Sequence, residues 1–191
     1  MNGFHKVFLG VALILSSTAN AADGDVWLAR KIDELVVSGH LDPYAVYSTP
    51  DEAAMTVLRL VAPLAEAAGH EIGGQVFPER GGWSYTIPRV GLANAVFVPY
   101  GLPAYHTHPR RQILRFSNHD CAHDGGPGDV GWVEASGSPL YLGVISATGS
   151  VLVGVCDPGT CGHEGVAGTS PTRVLTAPTQ TGDVTLAGGG G

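Results

Sequence analysis

Apolar residues recur at helical spacing in two stretches of the chain. In residues 25–37 they fall three and four positions apart, and the pattern stops near Gly39, which predicts an amphipathic helix. A second helix is predicted after Thr49, because Thr49 and Glu52 form a capping box around a proline at the first helical position. Gly69 should end this second helix.

Beyond the second helix the hydrophobic period becomes strand-like, with glycine and proline between the apolar runs. A short helix over residues 117–123 and a flexible loop over residues 124–129 are expected to interrupt these strands. The order of elements predicts one α+β domain with a mixed central β-sheet flanked by helices. The predicted strands cover residues 71–77, 83–88, 95–98, 103–108, 140–146 and 151–155.

Composition narrows the class of protein. The chain has 191 residues, enough for one domain with a substantial core, and includes 28 glycines, while only 14% of its residues are charged. Its formal charge of −7, with no basic run longer than Arg110-Arg111, argues against a nucleic-acid partner. The apolar content is too high for a disordered chain.

The first 21 residues have the pattern of a secretory signal peptide. A basic start ends at Lys6, a short apolar run follows, and Ala19-Asn20-Ala21 provides a cleavage motif, so the cut is expected near Ala21/Ala22. A retained anchor is the alternative, but the apolar run is too short to cross a bilayer as a helix. These features predict a secreted or periplasmic protein without stable membrane insertion after cleavage.

The remaining chain divides by pattern into three parts. Residues 22–48 form an N-terminal helical segment, and residues 49–169 form the candidate catalytic domain. Residues 170–191 lose apolar periodicity and end in four glycines, which predicts a flexible tail.

Three cysteines leave the disulfide pairing open. Cys156 and Cys161 enclose a tight turn, and a local bond between them is the simplest prediction. A bond from Cys121 to either of them is the competing arrangement.

Candidate chemistry is concentrated in a histidine pair and the polar residues that follow it. His106 and His108, two apart on a predicted strand, project to the same face and could bind one metal. Ser117 and Asp120, three apart, would share a face of the short predicted helix. Two imidazoles and a carboxylate are a typical ligand set for one catalytic zinc ion, with water in the fourth position.

Zinc lowers the pKa of its bound water toward about 7, but a separate base must accept the proton. Glu66, Glu71 and Glu79 are the upstream candidates. Glu71 is preferred because it lies at a helix-to-strand junction, followed by two glycines that permit close backbone approach.

An upstream Glu, the sequence His106-Thr107-His108-Pro109 and the SxxD of Ser117 and Asp120 together resemble the JAMM (MPN+) zinc metallopeptidase motif. The wider pattern, from residue 71 to residue 144, is similar to a bacterial branch of that superfamily that also occurs as terminal domains of Rhs-type polymorphic toxins.

The resemblance implies an MPN-like fold with a cytidine-deaminase-like layered core. It also implies zinc on His106, His108 and Asp120, Glu71 as general base and Ser117 as oxyanion donor. Eight residues separate His108 from Ser117 where the common motif has seven. A longer loop would keep Asp120 as the third ligand, whereas strict counting substitutes His119.

The expected activity is zinc-dependent hydrolysis of an amide bond in a peptide, an isopeptide or a peptidoglycan stem peptide. A toxin or effector role, with an unidentified immunity protein, would fit the same branch. An inactive MPN-like binding module is the alternative from another class. A zinc deaminase is a further rival, but the HxE and PCxxC signatures that it needs are missing from the sequence.

Overall fold

The computed structural model describes residues 24–118, 128–161 and 168–176. Helix α1 covers residues 24–37, α2 covers Pro50–Ala68 and α3 covers Gly128–Ser136. The capping prediction for α2 is confirmed: the Thr49 hydroxyl accepts a hydrogen bond from the Glu52 amide, and Gly69 ends the helix with a left-handed φ of 72°. Within these ranges, no helix combines the length and apolar character needed to span a membrane.

Seven described strands form one mixed sheet. They are β1 Ile72–Glu79, β2 Gly82–Tyr85, β3 Arg89–Val90, β4 Ala104–Thr107, β5 Leu140–Ile145, β6 Val151–Cys156 and β7 Arg173–Leu175. The order in the sheet is β2-β1-β4-β5-β6-β7, and β3 also pairs with β1. Among these strands β4 and β5 run parallel, whereas the other pairs are antiparallel. The predicted α+β class with a mixed sheet is confirmed at this level.

Helices cover both faces of the sheet. Apolar side chains of α1 and α2 pack with Tyr105 and Tyr141 in one buried cluster. Residues of α3 pack with Ala104 and Leu142 in a second cluster. Because successive residues of a strand face opposite sides, β4 presents Tyr105 to the α1/α2 layer and His106 to the α3 layer.

The predicted strand over residues 95–98 is wrong, because these residues pair with no described strand. Instead, Val96 and Val98 cover Gly73 of β1, where a Cβ added to the glycine would lie 2.8 Å from a Val96 methyl. The Val98 carbonyl accepts a hydrogen bond from the Trp132 indole of α3. This segment therefore packs across the sheet rather than extending it.

Two further predictions need correction. The predicted loop over residues 124–129 overlaps α3, which begins at Gly128. The predicted tail from residue 170 contains β7, which pairs with β6 through Val153 and Leu175. Arg173 of β7 also forms ion pairs with Asp51 of α2 and with Asp157, so this part of the chain is anchored to the domain.

Cys156 and Cys161 form a disulfide across their turn, with Cα atoms 5.2 Å apart. Cys121 lies outside the described residues, as do the predicted signal peptide and most of the helix predicted over residues 117–123.

Candidate metal centre

Strand β4 brings two imidazoles together on the α3 side of the sheet. The Nε2 atoms of His106 and His108 are 2.9 Å apart, and both side chains are buried. The His108 amide donates to the Gly143 carbonyl of β5, which holds the backbone in line just past the end of β4. Between the histidines, Thr107 accepts a hydrogen bond from the Ile72 amide and ties β4 to β1.

Glu71 precedes β1 and is buried beside this pair. Its amide donates to the Leu92 carbonyl, its carbonyl accepts from the Gly91 amide, and Oε1 lies 3.8 Å from His108 Nε2. Glu71, His106 and His108 offer ligand atoms within 4.8 Å of one another, so this group could hold a metal ion.

The two other candidate bases lie elsewhere. Glu66, on α2, accepts a hydrogen bond from the Arg110 amide. Glu79 is exposed at the end of β1 and accepts a hydrogen bond from the Arg80 amide. The structure thus brings Glu71, the preferred candidate, to the histidine pair.

A second carboxylate, which the sequence pattern did not predict, completes the cluster. Asp129 in the first turn of α3 has Oδ1 3.2 Å from His106 Nε2 and Oδ2 3.3 Å from His108 Nε2. The sequence pattern places Asp129 in a flexible loop and favours Asp120 as the ligand. Asp120 and its alternative His119 lie outside the described residues.

Ser117 holds Asp129 in place. The Ser117 amide donates to Asp129 Oδ2, and the Asp129 amide donates to Ser117 Oγ. The Val130 amide also donates to the Ser117 carbonyl. Ser117 therefore satisfies backbone groups at the start of α3 while it fixes the carboxylate that faces the histidines.

These separations resemble those between zinc ligands. Zinc bonds to nitrogen and oxygen of about 2.0–2.1 Å in a tetrahedron place neighbouring ligand atoms about 3.3 Å apart. Asp129 Oδ1 lies 3.2 Å from His106 Nε2, Asp129 Oδ2 lies 3.3 Å from His108 Nε2, and the two nitrogens lie 2.9 Å from each other. His106, His108 and Asp129 therefore lie close enough together to share one metal ion.

Burial and charge act together on the site. Burial raises the pKa of Glu71 above its usual value, although both imidazoles oppose this shift. Burial alone would lower the pKa of His106, but the carboxylates of Asp129 and Glu71 outweigh it and raise that pKa. Burial would raise the pKa of Asp129, but the two imidazoles hold it well below its usual range. A bound divalent cation would displace the protons of this cluster, and two ionised carboxylates beside two neutral imidazoles would then balance its charge.

Comparisons of the chain with protein-family models, with curated proteins and with solved structures give no match. The resemblance to the JAMM motif therefore depends on the motif residues themselves.

Asp129 has only a weak signal in the sequence. It is an acidic residue just after Gly-Pro-Gly, where a helix first turn favours negative charge. The residues that follow it have no clear apolar stripe, so hydrophobic periodicity does not predict the helix.

Proposed function

We propose that this protein is a zinc-dependent amide hydrolase in which His106, His108 and Asp129 bind one zinc ion. The observation that carries the proposal is the position of the Asp129 carboxylate, which faces both imidazole Nε2 atoms with Glu71 buried alongside. The protein would be a divergent JAMM-type enzyme whose third ligand comes from α3.

A bound zinc ion would lower the pKa of a coordinated water toward about 7 and polarise the substrate carbonyl. Glu71 would accept the proton of the attacking water and return it to the leaving amine. A general base works best when its pKa is near the operating pH; burial raises the pKa of Glu71, and a bound zinc ion would act against this shift. Glu71 Oε1 lies 3.8 Å from His108 Nε2, whereas the Asp129 oxygens lie 3.2 and 3.3 Å from the imidazole nitrogens that they contact. The longer distance favours a base rather than a fourth ligand.

Ser117 would contribute a hydrogen bond to the oxyanion. Its Oγ accepts the Asp129 amide proton, so the hydroxyl proton is still available for donation. One side chain would then fix a metal ligand and stabilise developing charge.

The substrate class is proposed from the resemblance to the JAMM family, and the compartment from the signal-peptide pattern. A cleaved signal peptide would place the enzyme outside the cytoplasm, where peptides, isopeptides and peptidoglycan stem peptides carry suitable amide bonds. A toxin or effector role, with an immunity protein, would use the same chemistry. A metal-free binding module is the weaker alternative, because His106, His108, Asp129 and Glu71 supply a complete set of ligands and base.

The test is zinc content and hydrolysis in protein expressed without residues 1–21. We expect one zinc per chain in the wild type, loss of zinc in His106→Ala, and retained zinc without hydrolysis in Glu71→Gln. Hydrolysis is measured by mass spectrometry on peptides, isopeptides and peptidoglycan fragments. Glu66→Gln is the matched control and should keep both properties. Equal zinc content in wild type and His106→Ala would overturn the assignment.

A further inference from the structure

One hydrogen bond between β1 and β4 departs from a regular antiparallel ladder. In such a ladder every second pair of opposite residues is joined through its backbone groups. The Val76 amide donates to the Pro103 carbonyl, which establishes which pairs these are. Carried along β1 to Ile72, the same alternation would direct its amide to the Thr107 carbonyl.

A side chain takes the place of that backbone group. The Ile72 amide donates to Thr107 Oγ1 over 2.9 Å, and the hydroxyl donates to the Ile72 carbonyl over 3.5 Å. Both residues are buried. The backbone pairing of the two strands ends just before this point, at Gly73 and His106. The Thr107 hydroxyl therefore joins β1 to β4 where the two strands reach the histidine pair.

Glu71 is the residue whose position depends on this bond. It directly precedes Ile72, and on the β3 side its amide and carbonyl are hydrogen-bonded to the residues that follow β3. On the β4 side, the backbone next to Glu71 is held through Thr107. The side chain of Glu71 then reaches the imidazoles, with Oε1 3.8 Å from His108 Nε2.

We propose that Thr107 is a positioning residue of the metal centre: its hydroxyl fixes the distance between the Glu71 carboxylate and the two imidazoles. This inference rests on the proposed zinc hydrolase, in which Glu71 must reach the attacking water without binding the metal. Valine has nearly the same shape as threonine but offers no acceptor, so it would leave the buried Ile72 amide without its partner. The hydroxyl is thus the part of Thr107 that carries the role.

The variant Thr107→Val tests this role. Crystal structures of the zinc-loaded proteins should show the Glu71 carboxylate displaced by about 1 Å in the variant, and kcat per bound zinc should fall about 10- to 100-fold with little change in KM. The variant should keep its zinc, because β4 remains paired with β5 and the His108 amide remains bonded to the Gly143 carbonyl.

Thr107→Ser keeps the hydroxyl and should restore both the position of Glu71 and the rate. Thr86→Val is the matched control, because the Gln75 amide, further along β1, donates to Thr86 Oγ1 over the same 2.9 Å. It should lower the midpoint of urea unfolding as Thr107→Val does, but leave Glu71 and kcat unchanged. If Thr107→Val does not fold, Thr107→Ala removes the same acceptor with a smaller side chain.

Two results would overturn the inference, and they are distinguishable. If the wild type binds zinc and hydrolyses an amide, but removing the hydroxyl leaves either the Glu71 position or kcat unchanged, the Thr107 assignment fails while the proposed function stands. If the wild type takes up no zinc, the proposed function fails and the Thr107 assignment falls with it.

Discussion

Ser117 and Asp129 hold each other through two reciprocal hydrogen bonds. The Ser117 amide lies 2.7 Å from Asp129 Oδ2, and the Asp129 amide lies 2.9 Å from Ser117 Oγ. The two residues are 12 positions apart in sequence, so the pair joins the segment after the histidines to the start of α3. The histidine cluster thereby acquires a carboxylate in a fixed orientation.

Removal of the Asp129 carboxylate should weaken zinc binding strongly. We expect Asp129→Asn to weaken zinc affinity by more than the 10- to about 100-fold typical of changes outside the ligand set. Asparagine can still accept the hydrogen bond from the Ser117 amide, so the fold should persist. Zinc affinity is measured by competition with a chelator. Asp120→Ala and His119→Ala serve as controls, and zinc loss in either one with retention in Asp129→Asn would contradict the ligand set.

Ser117 should affect the rate independently of metal content. In Ser117→Ala, kcat per bound zinc should fall about 100-fold, the usual effect of losing an oxyanion donor. The free energy of unfolding should also fall by about 1 kcal/mol, since the Asp129 amide loses its acceptor. Ser117→Thr keeps the hydroxyl and should retain most activity. A purely structural serine would lower stability in Ser117→Ala without changing the rate.

The ion pairs of Arg173 should make stability depend on acidity. The hydrogen bond from Arg173 lowers the pKa of Asp157 against the effect of burial. Because the folded-state pKa lies below the unfolded value, this stabilisation is present at neutral pH and is lost as the pH falls below about 4.

The variant Asp157→Asn isolates this contribution. Arg173 is 42% exposed, so the loss in unfolding free energy at pH 7 should be no more than about 1 kcal/mol. Urea unfolding of wild type and variant should show the difference shrinking between about pH 5 and about pH 2. A difference that is constant over this range would exclude the charge as its source.

The disulfide should stabilise the fold without supporting the metal centre. It closes a short loop, for which the chain-entropy model gives about 2 kcal/mol. The double variant Cys156→Ser/Cys161→Ser should lose about that much unfolding free energy in urea and retain its zinc. Loss of zinc from the folded variant would show that the turn at residues 157–160 supports the site.

Local signals made much of the fold predictable. Thr49 and Glu52 mark the start of α2, and Gly69 marks its end. Residues close in sequence make the hydrogen bonds at both ends, so the local sequence predicts them. The alternation around His106 predicts the strand and the face that carries the two imidazoles. By contrast, whether residues 95–98 join the sheet depends on packing against Gly73, a contact between distant parts of the chain that hydropathy does not encode.

Two of the three proposed ligands are predictable from the sequence. His106 and His108 are set by a period of two within one strand. Asp129 lies beside them because α3 carries it and because it is hydrogen-bonded to Ser117. This contact spans the chain between Ser117 and α3, and no local sequence pattern sets the length of that connection. The SxxD pattern with Ser117 therefore favours Asp120, whereas strict counting of the motif gives His119.

The parallel pairing of β4 with β5 has a consequence for folding kinetics. Parallel neighbours require a long crossover, and the chain between these strands carries His108, Ser117 and Asp129. Closing this loop costs chain entropy before its contacts can stabilise the fold. His108, Ser117 and Asp129 should therefore come together only after β4 and β5 have paired. In refolding followed by stopped flow, zinc uptake should lag behind the early helical signal.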